Sequence, residues 1–389
     1  MKFNIKRPFD YVKYFIFFIN LLISFFFAFF SKKPKKRIIL FGHQLDGNIL
    51  DLYKENKSFK HDIYYLSFSY EDYKDNTKER HLYVFSFKDV LRTVNSRIFI
   101  ASHGIPFHTL FNLFTSIKFI NIGHGIYNVV DKENPILPEK YYHSFWLPTK
   151  FEKDIREKYY KQKVPNYKVT GWLRNENLAK NYSQDSLKNK YNLHETVGLF
   201  APSAVHNYKN NNKESFYYRN IDFLELLDEV STNLEVKTIF KPHYNNYQYN
   251  EIEEDVLHCI NNSKNLIYFK DIQITELNEL LTVSDFLITD YSSVFVDYLL
   301  LQRPILFVDV PTRWAGYELT EYLINENISI TKTFDAFKKS FNNIFKNDVE
   351  RLNLNKLCNK VYGSIVQEDT INNYKSDIAD LLDEKVSEI

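Results

Sequence analysis

The chain is expected to be a two-domain α/β protein preceded by a membrane helix. Three observations carry this expectation. Short β-branched and aromatic runs recur along the chain with helical stretches between them, the pattern of parallel strands buried on both faces and joined by crossover helices. The length of 389 residues is that of two ordinary domains. Residues 14–30, YFIFFINLLISFFFAFF, carry no charge, in a chain that is 17% aromatic.

That first run is flanked by Lys6, Arg7 and Lys13 on one side and by Lys32, Lys33, Lys35, Lys36 and Arg37 on the other. As a helix it would be about 25 Å long against a hydrocarbon core of roughly 30 Å. Spanning would therefore need a thinned bilayer or snorkelling lysines, and lying in the interface is a close rival. A dense basic cluster stands where a signal peptide has its small cleavage residues, so residues 1–36 are expected to remain as an anchor. The denser cations on the C-terminal side predict a protein held at the cytoplasmic face of the cell membrane. A buried core helix is the competing interpretation, since short apolar runs are often core.

Next come the strands expected at 37–41, 63–67, 97–101, 118–122 and 167–170. The polar stretch 180–195, KNYSQDSLKNKYNLHE, holds the expected boundary, giving domains 37–185 and 186–389. A second series of strands is expected at 197–201, 236–240, 266–268, 286–289 and 305–308. Residues 205–215 read as an exposed loop. Beyond Lys332 the chain is charged and helical. Ligands of open α/β sheets bind beyond the carboxyl ends of strands, so the residues just after each strand are the candidates to line a cleft.

Composition narrows the function. Lys+Arg at 50 against Asp+Glu at 49 leaves a net charge of +1, which provides no global field for a nucleic-acid backbone, and no nucleic-acid partner is expected. Cys259 and Cys358 are far apart, against a zinc module or a disulfide scaffold. The 9 glycines form no GxGxxG or GxxxxGK[ST], and HExxH and Asp-x-Asp are absent as well. Dinucleotide enzymes, P-loop NTPases, zincins and Asp-x-Asp metal transferases are thereby disfavoured, and neither cofactor nor metal is expected.

The richest segment is 284–309, SDFLITDYSSVFVDYLLLQRPILFVD: strand 286–289, polar turn 290–292, helix 293–301, strand 305–308. Ser292 or Ser293 can cap that helix, and free N–H groups beside two hydroxyls suit a phosphate. Plain caps and a turn aspartate explain the same residues without a ligand. Strand 118–122 runs into Gly123-His124-Gly125, whose small neighbours leave the imidazole accessible as a base near pH 7. Strand 236–240 runs into Lys241-Pro242-His243, a cation and an imidazole suited to a diphosphate. His43 and His103 also follow strands, and periodicity does not rank them below His124.

The run ITDYSSVFVDYLLLQRPILF, with KPHY upstream, HG after a first-half strand and VTGWLRNENL between, resembles the CDP-glycerol glycerophosphotransferases of teichoic acid and capsule synthesis. The resemblance covers about residues 37–322, and its specific part is TDYSS followed by Asp297 and RPI. It implies two Rossmann-like domains facing a cleft, similar to the GT-B glycosyltransferases, and association with the membrane. The implied reaction moves glycerol phosphate, or in relatives ribitol phosphate, from a CDP-alditol to a hydroxyl of a lipid-linked teichoic acid or capsular acceptor and releases CMP. By the same resemblance His124 is the base and His243 contacts the donor diphosphate. Asp290, Ser292 and Ser293 match the phosphate turn, with Lys241 and Gly125 beside the two histidines and Asp297 on the following helix. Gly171 and Arg174 resemble a glycine-then-arginine pattern at the interdomain side, Asn48 an early asparagine near the acceptor, and Arg313 the arginine after the last strand. The chain departs from the family at Gly123, where Trp is frequent, at Ile126-Tyr127 and at Ser203-Ala204-Val205. These departures bear on the acceptor and the alditol more than on the reaction. A GT-B glycosyltransferase using a nucleotide sugar and a non-catalytic membrane-bound scaffold are the rival functions; a homo-oligomer is compatible with either.

Overall fold

The computed structural model describes residues 8–30, 34–42, 44–69, 80–105, 107–125, 141–159, 166–180, 182–203, 216, 220–243, 254–290, 292–310, 323, 325–363 and 369–389. The chain divides into two compact units, Met1–His124 with Ile136–Glu176 and Gln367–Ile389, and Gly125–Pro135 with Asn177–Val366.

In the first unit, strands β1 (Arg37–Phe41), β2 (Asp62–Ser67), β3 (His81–Tyr83), β4 (Ile98–Ala101), β5 (Lys118–Asn121), β6 (Ser144–Leu147) and β7 (Asn166–Val169) form a parallel sheet. Its order is β3-β2-β1-β4-β5-β6-β7. In the second, β8 (Thr196–Phe200), β9 (Val236–Phe240), β10 (Leu266–Tyr268), β11 (Phe286–Thr289), β12 (Ile305–Val308) and β13 (Ile330–Thr331) pair in parallel as β10-β9-β8-β11-β12-β13. Each order reverses once, between β1 and β4 and between β8 and β11, and crevices at such reversals are where doubly wound sheets bind ligands. The expected strands are all present within a residue or so of their predicted ends. β3, β6 and β13 were not expected: at two to four residues they are too short to show a period.

The helices, in chain order, are α1 (Pro8–Phe29), α2 (Gly47–Lys54), α3 (Phe87–Val94), α4 (His108–Phe114), α5 (Lys150–Tyr159), α6 (Leu173–Lys180) and α7 (Gln184–Lys190). They continue with α8 (Ile221–Asn233), α9 (Glu254–Asn262), α10 (Leu277–Val283), α11 (Val294–Leu299), α12 (Phe334–Asn342), α13 (Asp348–Tyr362) and α14 (Thr370–Leu382).

The N-terminal membrane helix of the sequence reading is corrected. Among the described residues no helix is long and apolar enough to cross a membrane. Helix α1 belongs to the first unit, where Phe17, Leu21 and Phe25, one turn apart, join the core of β1, β4 and β5. The Phe17 ring meets Phe68 and Phe107, and the Phe25 ring meets Phe111 and Phe114. Asn20 Nδ2 donates to the Phe85 carbonyl at 3.0 Å. A helical period deals the apolar run onto more than one face, and the core of the unit takes only one of them.

The chain also closes differently from the expected 186–389 domain. The first stretch of the second unit's main segment begins at Asn177, and the last residues return to the first unit. On α14, Asp377 accepts the indole N–H of Trp146 at 2.7 Å, and the Tyr374 ring stacks on Trp146 at 4.0 Å. Asn373 Nδ2 donates to the Thr170 carbonyl. Two buried aromatic rings and a satisfied indole N–H hold this contact, which no local pattern announces.

Candidate active site

In the first unit the site is built from the ends of β4 and β5. His124 is exposed, and its Nδ1 lies 3.2 Å from the carbonyl oxygen of Ser102. A carbonyl only accepts, so Nδ1 carries the hydrogen and, in the neutral ring, Nε2 bears the lone pair, the tautomer a general base needs. The His103 ring stacks on that of His124, centroids 4.2 Å apart and 17° from parallel. His103 Nδ1 is 2.8 Å from Ser102 Oγ, and the Tyr142 hydroxyl donates to the His103 carbonyl at 2.9 Å.

The turn that carries His124 is held from below. Gly123 has φ 65°, and a Cβ there would meet the Trp172 ring at 2.8 Å, so a side chain is excluded both by conformation and by space. Asn48, on α2 and buried, donates from Nδ2 to the carbonyls of Ile122 and Gly123, each at 3.4 Å. Arg174, on α6 and also buried, donates from Nη1 to the His124 carbonyl at 2.8 Å, with its guanidinium 4.8 Å from the Trp172 ring. Gly171 sits at φ 79° and its carbonyl accepts from the Tyr374 hydroxyl. Asn48, Gly171 and Arg174 are thus placed as supports of the histidine turn and of the chain beneath it.

In the second unit Asp290 follows β11 and is 1% exposed. Its carboxylate accepts from Ser203 N at 2.9 Å, Ser203 Oγ at 2.6 Å and Ser292 N at 2.9 Å. It therefore ties the end of β8 to the end of β11 at the reversal of the strand order. Burial pushes its carboxyl up, while the Ser203 and Ser292 hydrogen bonds pull the other way. Ser293 takes the cap position of α11, but its side chain makes no capping hydrogen bond, contrary to one sequence expectation. The helix is also shorter than expected, 294–299 in place of 293–301, so its dipole contributes little and the two half-buried hydroxyls are the donors on offer. Gly125 is counted with this unit, and a Cβ on it would lie 2.7 Å from Ser293 Oγ, so the space beside that serine admits no side chain there.

Lys241 and His243 follow β9 and are half-buried, with Lys241 Nζ 5.8 Å from the Phe269 ring. Asp297 is buried on α11 at 3% exposure, which places it in the packing of the helix. Arg313 lies outside the described residues, as do Ile126, Tyr127, Ala204 and Val205. Sequence reasoning named Ser203 only as a departure from the family, did not single out Ser102 or Trp172, and left His103 unranked. The usable signal for Ser102, His103 and Ser203 was their place just after β4 and β8, the strands that flank the reversals.

The chain matches the profile of the CDP-Glycerol:Poly(glycerophosphate) glycerophosphotransferase family over residues 23–322. None of the curated proteins matches it by sequence. Among solved structures it is similar to the wall teichoic acid polymerase TagF, at 16% identity and a TM-score of 0.67, covering 98% of this chain and 99% of that one. A TagF variant soaked with CDPG gives 14% identity and a TM-score of 0.66, covering 97% and 99%. The UDP-GlcNAc 2-epimerase of Methanocaldococcus jannaschii, solved with UDP-GlcNAc and UDP, is more distant, at 13% identity and a TM-score of 0.52 over 82% of this chain and 97% of that one. These likenesses fix the fold as two doubly wound α/β units of the GT-B-like kind. With its family's profile matched over most of its length, the chain belongs to the CDP-glycerol:poly(glycerophosphate) glycerophosphotransferases and is a transferase.

Proposed function

We propose that the protein transfers glycerol phosphate from CDP-glycerol to a hydroxyl of a lipid-linked teichoic acid or capsular acceptor. The acceptor oxygen gives its proton to Nε2 of His124 and bonds to the β-phosphorus; the bond from that phosphorus to the bridging oxygen breaks, and CMP leaves. Phosphoryl transfer asks the protein mainly for positioning and charge stabilisation. Ser292, Ser293, Lys241 and His243 are the groups of the second unit suited to hold the diphosphate, and Asp290 shapes their turn. The observation that carries the proposal is the His124 ring, exposed and held with Nδ1–H on the Ser102 carbonyl, which leaves Nε2 as the base.

We place the enzyme at the cytoplasmic face of the membrane on the second face of α1. Phe15, Ile19, Leu22, Phe26 and Phe29 of α1 are exposed, from 37% at Ile19 to 85% at Phe29, and Leu113 and Phe114 of α4 add 70% and 57%. A helix with one face in a protein core and the other apolar and open suits the plane of a lipid interface rather than a span.

The test offers labelled CDP-glycerol, CDP-ribitol and UDP-sugars to the purified protein with a lipid-linked acceptor, and sizes the product on a gel. CMP release with incorporation of the alditol phosphate is expected; turnover of a UDP-sugar alone would overturn the proposal and favour the glycosyltransferase reading.

A further inference from the structure

His103 lies outside the role assigned to His124, and it is held with care. Its ring stacks on His124 at 4.2 Å and 17°. The residue before it, Ser102, supplies the carbonyl that takes Nδ1–H of His124 at 3.2 Å. These two constraints on the His124 ring come from one dipeptide, one on the edge and one on the face. That dipeptide is itself fixed: Ser102 N donates to the Phe41 carbonyl at 3.1 Å, Ser102 Oγ meets His103 Nδ1 at 2.8 Å, and Tyr142 holds the His103 carbonyl at 2.9 Å. On the other side of His124, Arg174 anchors its backbone carbonyl at 2.8 Å.

A hydrogen bond at one ring nitrogen does not by itself fix the plane of an imidazole. A second ring lying flat against it does, because rotation out of the plane would collide with a ring whose own edge is bonded to Ser102. We propose that His103 is a positioning residue for His124: a platform that fixes the plane of the base and keeps Nε2 directed at the acceptor hydroxyl. This inference rests on His124 being the base.

Two measurements on the full chain test it, one independent of turnover. Nitrogen-15 NMR of the histidine rings is expected to show His124 in the Nδ1–H form in the wild type and in His103→Phe, and mixed with the Nε2–H form in His103→Ala. In steady-state assays with CDP-glycerol, His103→Ala is expected to lower kcat by about 10–100-fold with KM for the donor within about twofold, and His103→Phe to recover most of the loss. A His124 tautomer unchanged in His103→Ala, or a His103→Phe as impaired as His103→Ala, would overturn the platform; the latter would make His103 a carrier of the proton. If His103→Ala shows the tautomer shift but the wild type releases no CMP from any CDP-alditol, it is the proposed reaction that fails and not the platform. Thermal unfolding of each variant separates a misfolded protein from a misaimed ring.

Discussion

Asp290, Ser292 and Ser293 are neighbours in one motif, yet burial gives them different work. The carboxylate of Asp290 is enclosed and spends its oxygens on Ser203 and the Ser292 amide, whereas the two serine hydroxyls sit half-exposed beside it. Replacing Asp290 by Ala leaves the Ser203 and Ser292 amides without their acceptor, a loss of about 1–3 kcal/mol that urea denaturation would register. Ser293→Ala removes no bond of that kind and is expected to leave stability within about 0.5 kcal/mol while raising KM for CDP-glycerol. His124→Ala is expected to reduce turnover by about 10²–10⁴-fold, the worth of a general base, with the fold intact because the His124 side chain is exposed. The motif itself was legible in sequence, as TDYSS after a strand and HG after another. The division between buckle and donor was not, since it depends on Ser203, 87 residues from Asp290.

Helix α1 is the element on which sequence and structure differ most. Of the rival interpretations of residues 14–30, the core helix accounts for the face that carries Phe17, Leu21 and Phe25, while the other face is apolar and exposed. Leu21, fully buried, is expected to cost about 2–5 kcal/mol as Leu21→Ala, whereas Phe26→Asp on the open face should leave the unfolding transition in place and abolish flotation with anionic vesicles. Deleting the helix outright would strip Phe111 and Phe107 of their cover, so a truncated protein is expected to lose stability as well as lipid binding. Strands of four or five consecutive apolar residues were readable because a strand buried on both faces is written as an unbroken run. β3, β6 and β13 take their identity from neighbours already in the sheet, which is why their own residues did not reveal them.

At the scale of the molecule, the buried His61 and the half-buried His143 contribute to the response to acid. Burial, with Lys118 nearby, holds His143 below its ordinary value, and its Nδ1 accepts the Phe119 amide; burial, with Lys36 and Arg97 nearby, does the same for His61. The unfolded chain takes up protons at these positions from about pH 6.5 downward, while the folded chain resists until a lower pH. Stability contributed by both is therefore complete above about pH 6.5 and lost as pH falls toward the folded values. Urea midpoints at pH 7.5 and 5.5 should differ less in His143→Gln than in the wild type; an equal difference would remove His143 from this account. By itself the sequence determined the two α/β series, the strands written as continuous apolar runs, the TDYSS turn after a strand and the family, because each is a pattern of neighbours or of fixed spacing. The tertiary structure alone decided that α1 is half core, that the C-terminal helix returns to the first unit through Trp146 and Asp377, and that His103 is the partner of His124. Those outcomes are contacts between residues as much as 231 positions apart, and burial, which sets what a side chain can do, is a property of such contacts and not of the chain that supplies them.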